Sequence, residues 1–242
     1  MFSSVSAGRI APMTTPSSPK RDPRDLPNID DLVVGVLGGT GEQGRGLAYR
    51  LAVAGQKVII GSRSADRAAS AAAELGAGVR GADNATCAAE SDIVIIAVPW
   101  EGHRDLLLSL TGELAGKIVV DCVNPMGFDK QGAFVLDVEE GSAAQQAAAV
   151  LPDSTVTAAF HHVSAVLLLD PNVESLDTDI MVLGDKREAT DAVQALASRI
   201  PGMRGVYAGR LRNARQVEGL TANLISTNRR YKAHAGLRVT DV

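Results

Sequence analysis

The stretch that most constrains this chain is a glycine-rich turn, Gly38-Gly39-Thr40-Gly41-Glu42-Gln43-Gly44, set between an apolar run and a helical one. Before it, Leu32-Val33-Val34-Gly35-Val36-Leu37 is apolar enough to be a strand buried on both faces of a parallel sheet. After it, Leu47, Ala48, Leu51 and Ala52 recur at helical spacing from Glu42 to Ala54. Gly39, Gly41 and Gly44 thus stand where a dinucleotide's pyrophosphate needs them. One glycine makes the tight turn, one lets the backbone approach the phosphates, and one lets the helix pack closely, while the helix N-terminus offers unpaired N–H groups.

The end of the second strand decides which dinucleotide is expected. Lys57-Val58-Ile59-Ile60-Gly61 closes about twenty residues after the turn, where an NAD site places an Asp or Glu on the ribose hydroxyls. Here the chain reads Ser62-Arg63-Ser64-Ala65-Asp66-Arg67. The Ser62 hydroxyl and the Arg63 and Arg67 guanidinium groups suit a 2′-phosphate, and no carboxylate stands at the strand end to repel it. NADP is therefore preferred to NAD.

With 242 residues and 45% hydrophobic content, the chain has room for one Rossmann-type doubly wound parallel sheet and a smaller C-terminal α/β domain. The expected division is a disordered tail over residues 1–30, an NADP-binding domain over 31–160 and the smaller domain over 161–242. No apolar run is long enough to span a bilayer. Cys87 and Cys122 have no metal-type spacing and read as small buried residues, which fits a cytoplasmic protein.

Further along, helices are expected from Ser64 to Leu75 and near Asn84 to Ala89, with a short strand around Gly78 to Gly81 between them. Asp92 to Val98 is an almost wholly apolar central strand, and Pro99-Trp100-Glu101-Gly102-His103 beyond it should border the cofactor, because ligands of open α/β sheets sit at the carboxyl ends of strands. Lys117 to Asp121 is the fifth strand, leading into Cys122-Val123-Asn124-Pro125-Met126; Asn124 has two readings, a carboxamide partner or a turn cap. A flexible loop from Gly127 to Val138, a helix near Ser142 to Val150 and a strand Thr155 to Phe160 follow. His161 and His162, adjacent on an extended chain, project to opposite sides, which disfavours a shared metal. The last third reads as strand, helix, short strand and a helix from Asn213 to Arg230.

Charge is unevenly spread. Residues 31–200 carry 12 basic and 23 acidic side chains, a balance of −11, whereas residues 201–242 carry eight basic against two acidic, a balance of +6. That basic end suits an acidic face of another subunit or a polyanionic ligand better than nucleic acid, since it lacks interleaved aromatics; a plainly solvated helix face is the other reading.

Taken together, Gly38 to Gly44, Ile60-Gly61-Ser62-Arg63, Ala97-Val98-Pro99-Trp100-Glu101, Lys117-Ile118-Val119-Val120 and the region Asn213 to Leu237 resemble the NADPH-dependent reductases of coenzyme F420, an 8-hydroxy-5-deazaflavin. The resemblance runs from about Leu32 to Val239. It implies a two-domain homodimer that passes a hydride reversibly between the nicotinamide C4 and the deazaflavin C5. It also implies that Thr40, Gly41, Glu42, Gln43, Ser62, Arg63 and Arg67 hold NADP, and that Val98, Gly102, Asn124, Met126, Ala165 and Ala235 border the nicotinamide or the deazaflavin. Two departures from the family pattern stand out: His162-Val163-Ser164-Ala165 has no proline at its turn, and Arg67 replaces a lysine.

Such a reaction asks little acid–base chemistry of the protein, because both rings are intrinsically reactive and need only stacking and exclusion of water. No obligatory catalytic residue and no metal are expected. The alternatives are an NADPH-dependent reductase of a flavin, a metal or a small imine or carbonyl, and a non-enzymatic NADP sensor. A short-chain dehydrogenase is disfavoured, since none of Tyr49, Tyr207 or Tyr231 is followed four residues later by Lys.

Overall fold

A computed structural model describes residues 22–242. The elements run β1 Val33–Leu37, α1 Glu42–Val53, β2 Lys57–Ser62, α2 Ala65–Leu75, β3 Arg80–Asp83, α3 Asn84–Ala89, β4 Ile93–Ile96, α4 His103–Ser109, α5 Thr111–Leu114 and β5 Ile118–Asp121. They continue with β6 Met126–Asp129, β7 Gly132–Val135, α6 Ala143–Val150, β8 Thr155–Ala158, α7 Ala165–Leu169, β9 Thr178–Gly184, α8 Arg187–Ser198, β10 Met203–Gly209 and α9 Ala214–Tyr231.

Eight strands form one sheet in the order β10-β9-β8-β5-β4-β1-β2-β3. Every pairing in it is parallel except β8 with β9, which meet only at Thr157↔Gly184 and Ala158↔Leu183. Parallel strands need crossover helices, and these cover both faces. Leu47, Ala48 and Leu51 of α1, Leu168 of α7 and Val193 and Leu196 of α8 fill one side of the sheet. Leu107 of α4, Leu114 of α5, Ala144 and Ala147 of α6 and Val217 of α9 fill the other. The C-terminal β9, α8, β10 and α9 extend the same sheet through its single antiparallel join.

Three details differ from expectation. Residues 127–138 are not a flexible loop throughout: β6 and β7 pair as an antiparallel hairpin, closed by Asp129 Oδ1, which accepts the N–H groups of Gln131 and Gly132, with Gly132 at φ +125°. The ordered chain also begins before Leu32. Ile29 is buried in the core and its carbonyl accepts from Gln56 Nε2; of the expected tail, residues 1–21 lie outside the described residues. Finally, α5 and the short α7 add helices that the sequence pattern did not indicate.

One buried cation fixes the geometry of α7. Arg50, on α1 and only 7% exposed, donates to the carbonyls of Leu167, Leu168, Asp170 and Val173 at 2.6–2.8 Å. A positive charge at a helix C-terminus satisfies orphan carbonyls and opposes the negative end of the dipole. Close to it, Gly46 lets α1 approach α7 so nearly that a Cβ there would fall 2.6 Å from Leu168 Cβ. The glycine turn at the start of α1 and the segment 161–165 before α7 are thereby held in one body. Arg50→Leu, leaving those carbonyls buried without a donor, should lower unfolding stability by about 3–5 kcal/mol in denaturant titration. Arg50→Lys should recover only part of this, because an ammonium lacks the planar fork.

Candidate functional site

The turn after β1 is built for close approach. Gly38 has φ +79°, and a Cβ there would lie 2.3 Å from the Ala97 carbonyl oxygen. At Gly39 it would lie 2.5 Å from Ile60 Cβ, and at Gly44 2.6 Å from the Gly38 carbonyl oxygen. These three glycines are required by the protein's own packing. Gly41 is different: a Cβ would meet only the Gly38 oxygen, at 3.4 Å, and the residue's φ of −82° suits any side chain. The space in front of Gly41 is therefore free for a ligand. Gly41 is also the N-cap of α1 and supplies no side-chain cap, whereas α2, α3, α6 and α7 are capped by Ser64, Asp83, Ser142 and Ser164. The first N–H groups of α1 thus open onto that space, an anion-binding arrangement. Thr40 and Gln43 are half-buried beside it and Glu42 is exposed; Gln43 Nε2 also reaches the Phe160 carbonyl at 3.3 Å, tying the turn to the end of β8.

At the end of β2, Ser62 is buried and its Oγ accepts from Ser64 N at 3.4 Å. Arg63 and Arg67 are both exposed, and among the described residues neither forms an ion pair. Two uncompensated guanidinium groups at the head of α2 oppose its dipole, which is a cost to the helix in the absence of an anion.

The third cluster lies across β4, β5 and β8. Val98 is half-buried against Gly38, and Gly102 is exposed with nothing near its missing Cβ. Asn124 donates through Nδ2 to the His161 carbonyl at 2.9 Å and accepts weakly from Thr221 Oγ1 at 3.4 Å. Its amide donor thus ties β5 to the end of β8. Met126 opens the β6–β7 hairpin. Ala165 begins α7 under the Ser164 cap, and Ser164 Oγ also lies 3.3 Å from His234 Nδ1. Beside them is a cavity of about 220 Å³, bordered by His162, Ser164, Asp177, His234 and Ala235 among others.

Ala235 is held by its N–H, which donates to Asn228 Oδ1 at 2.6 Å, and the segment after it by Asp179. This buried carboxylate accepts from Arg204 at 2.6–2.8 Å, from Arg238 Nη1 at 2.7 Å and from Val239 N at 2.7 Å, pinning the C-terminal segment to the start of β9. The Arg204 guanidinium holds the Asp179 carboxyl below its usual range. The C-terminal excess of positive charge is correspondingly smaller than the sequence suggests. Arg204, Arg210, Arg215 and Arg238 are paired with Asp179, Asp185, Asp137 and Asp177, leaving Arg212, Arg229, Arg230 and Lys232 without ion pairs among the described residues.

Two histidines behave in ways the sequence did not disclose. His161, at the carboxyl end of β8 and 4% exposed, has no hydrogen-bond partner on either ring nitrogen, and burial pushes its pKa down to about 4. It follows Phe160, whose φ of +64° turns the chain sharply. A neutral buried imidazole with both nitrogens unpaired is a polar group awaiting a partner. His103, by contrast, does not border the crevice: its side chain is fully buried, with Nε2 2.6 Å from Asp121 Oδ2. The two cysteines are inert, with the Cys87 thiol pushed up to about 12 by burial and Cys122 also raised.

A family model described as NADP oxidoreductase, coenzyme F420-dependent, matches residues 33–125. Over 223 residues the chain is 40% identical to the F420-dependent NADP reductase of Methanothermobacter marburgensis, covering 87% of this chain and 99% of that protein. The chain belongs to the F420-dependent NADP reductase family. Its fold matches a crystal structure assigned to an F420-dependent NADP reductase of Arthrobacter sp. FB24, with a TM-score of 0.72, 26% identity and coverage of 86% and 99% of the two chains. The rat metalloreductase STEAP3 is 32% identical over 203 residues, but the match spans only 38% of that protein. Family membership accounts for the doubly wound sheet and the glycine turn. The open space at Gly41 fits the close approach of a phosphate to the α1 N-terminus.

Proposed function

We propose that this chain catalyses reversible hydride transfer between NADP(H) and coenzyme F420, with no obligatory protein acid or base. The observation that carries this is the pairing of open space at Gly41 with two arginines without ion pairs one strand away, in a chain 40% identical to an F420-dependent NADP reductase. When bound, the two coenzymes supply the hydride-carrying carbons, the nicotinamide C4 and the deazaflavin C5.

The protein's part is to bind, orient and keep water out. The N–H groups of Thr40, Glu42 and Gln43 receive the pyrophosphate, that of Gly41 being taken by the Gly38 carbonyl, and Ser62, Arg63 and Arg67 receive the 2′-phosphate. Val98, Gly102, Met126, Ala165 and Ala235 are small or apolar and border the ring-binding space. Asn124 acts by holding the His161 backbone in place, and the buried His161 imidazole is neutral at physiological pH. Residues 31–160 serve as the NADP-binding domain, while 161–242 supply the deazaflavin side and the contacts of a cytoplasmic homodimer. Among the described residues no helix is long and apolar enough to cross a membrane.

Spectroscopy tests the reading directly. Mixing the protein with NADPH and oxidised coenzyme F420 should bleach the visible deazaflavin absorbance, and NADP with reduced coenzyme should restore it. Bleaching of FMN or FAD instead would make the chain a flavin reductase, and NADPH binding with no acceptor reduced would make it a sensor.

A further inference from the structure

The network under the β4 and β5 loops contains a wholly buried ion pair that the reaction itself does not use. His103 Nε2 lies 2.6 Å from Asp121 Oδ2, and His103 Nδ1 lies 3.0 Å from Gln146 Oε1. Gln146 donates its own Nε2 to Glu140 Oε2 at 3.2 Å, so its oxygen is the end turned to His103. Both ring nitrogens therefore face acceptors, and both must donate. Burial pushes the His103 pKa down, but the Asp121 carboxylate and the Gln146 oxygen outweigh it and the net shift is upward. The arrangement favours the protonated ring.

Each partner grips a different loop. The His103 ring stacks against Trp100, with centroids 5.6 Å apart and planes 29° from parallel, close enough for a cation–π contact. Trp100 follows Val98 and Pro99 at the end of β4. Asp121, the last residue of β5, uses Oδ2 for His103 and Oδ1 to accept the N–H of Val123 at 3.0 Å, which sets the path of the chain into Asn124 and Met126. Other charged or titratable groups surround the pair. Arg104 of α4 meets Glu140 at 2.6 Å; Glu218 of α9 accepts from the N–H groups of Ala143 and Ala144, with burial raising it to about 7; and His161, beyond β8, stays neutral.

We propose that the His103–Asp121 pair is a positioning device: it sets the spacing of the loops after β4 and β5, and so places Val98, Gly102, Asn124 and Met126 around the nicotinamide half. The adenosine half, held at Arg63 and Arg67 beside β2, is gripped independently of it. The inference rests on the NADP-binding reading above.

Asp121→Asn tests it, because the amide keeps the side chain's shape and an acceptor for Val123 while removing the charge. In steady-state assays with coenzyme F420, kcat should fall on the order of 10- to 100-fold, as expected for a reacting ring misplaced by a fraction of an ångström to an ångström. KM for NADPH should stay within about threefold, because the grip on the far end is unchanged. Trp100 is the chain's single tryptophan, so its emission reports on this contact alone. A charged imidazole quenches a stacked indole more than a neutral one. Wild-type emission should be low across about pH 6 to 8, whereas that of Asp121→Asn should be brighter throughout this range, because a buried imidazole without the carboxylate's charge stays neutral, as His161 does.

A kcat within about twofold of wild type, or identical emission profiles in the two proteins, overturns the proposal. If Asp121→Asn fails to fold, His103→Leu with Asp121→Leu supplies an uncharged pair that can pack. Thermal unfolding should show that double variant folded while kcat remains low, and full activity in it overturns the proposal as well. The emission profile and an NADPH titration need no deazaflavin. They judge the pair even if coenzyme F420 proves not to be the acceptor.

Discussion

Gly41→Val should abolish NADPH binding and leave the fold intact. A Cβ at this position would touch only the Gly38 oxygen at 3.4 Å, and a φ of −82° with ψ of 162° is extended backbone open to a β-branched residue. The folded protein loses little beyond a weaker helix N-cap, about 1 kcal/mol. What the valine does fill is the space in front of the first N–H groups of α1, where a pyrophosphate must come within hydrogen-bond distance of the backbone. The expected loss is on the order of 10²-fold or more in Kd, read by NADPH fluorescence titration, with nearly unchanged thermal unfolding. The neighbouring glycines make the contrast. Gly39→Ala puts a methyl 2.5 Å from Ile60 Cβ and should destabilise the fold itself, so loss of binding there says nothing about a ligand. Normal NADPH titration by Gly41→Val would remove the turn from the binding site.

This contrast also shows what was legible in the sequence. The motif spacing identified the turn, because a strand before it and a helix after it leave the glycines few other roles. It did not separate Gly39 and Gly44, which serve packing, from Gly41, which serves a ligand; that needs the positions of Ile60 and the Gly38 carbonyl. Apolar runs placed β1, β2, β4, β5 and β8 to within a few residues, as is usual for strands buried on both faces. The β6–β7 hairpin escaped because Phe128 and Phe134 remain exposed, so its residues carry no alternating buried pattern, and its two-residue loop, Lys130-Gln131, holds neither glycine nor asparagine.

Polar residues were harder for a different reason. His103 follows the carboxyl end of β4 and so reads as a crevice residue, yet a single 3₁₀ turn at Trp100–Gly102 rotates it inward to Asp121. His161 gave no hint of being an orphaned imidazole, since its isolation depends on Phe160 at φ +64° and on the packing of Asn124 and Thr221 against its carbonyl. The basic C-terminal segment looked stronger than it is, because its acidic partners Asp137, Asp177, Asp179 and Asp185 are distant in sequence. Local pattern reports burial well. It does not report which charge meets which.

The same limit makes Arg63 and Arg67 informative, because they are basic residues of the nucleotide half for which the fold supplies no ion-pair partner. Replacing both with Ala should raise KM for NADPH far more than for NADH. Each guanidinium is proposed to make a charge-assisted hydrogen bond to the 2′-phosphate, which NADH lacks. Two such bonds lost independently correspond to about 10²–10⁴ in affinity, and since both side chains are exposed and screened, the lower end of that range is expected. Binding of NADH should change little, and α2 should gain slightly in stability as two cations leave its N-terminal end. The single substitutions rank the two groups: Arg63 stands directly at the strand end and should carry the larger share, with Arg67 one turn into the helix. The preference for NADPH should also weaken with added salt in the wild type and lose that dependence in the double variant. If KM for NADPH and NADH rise together, the phosphate is read elsewhere and the arginines serve only the general attraction of a charged coenzyme.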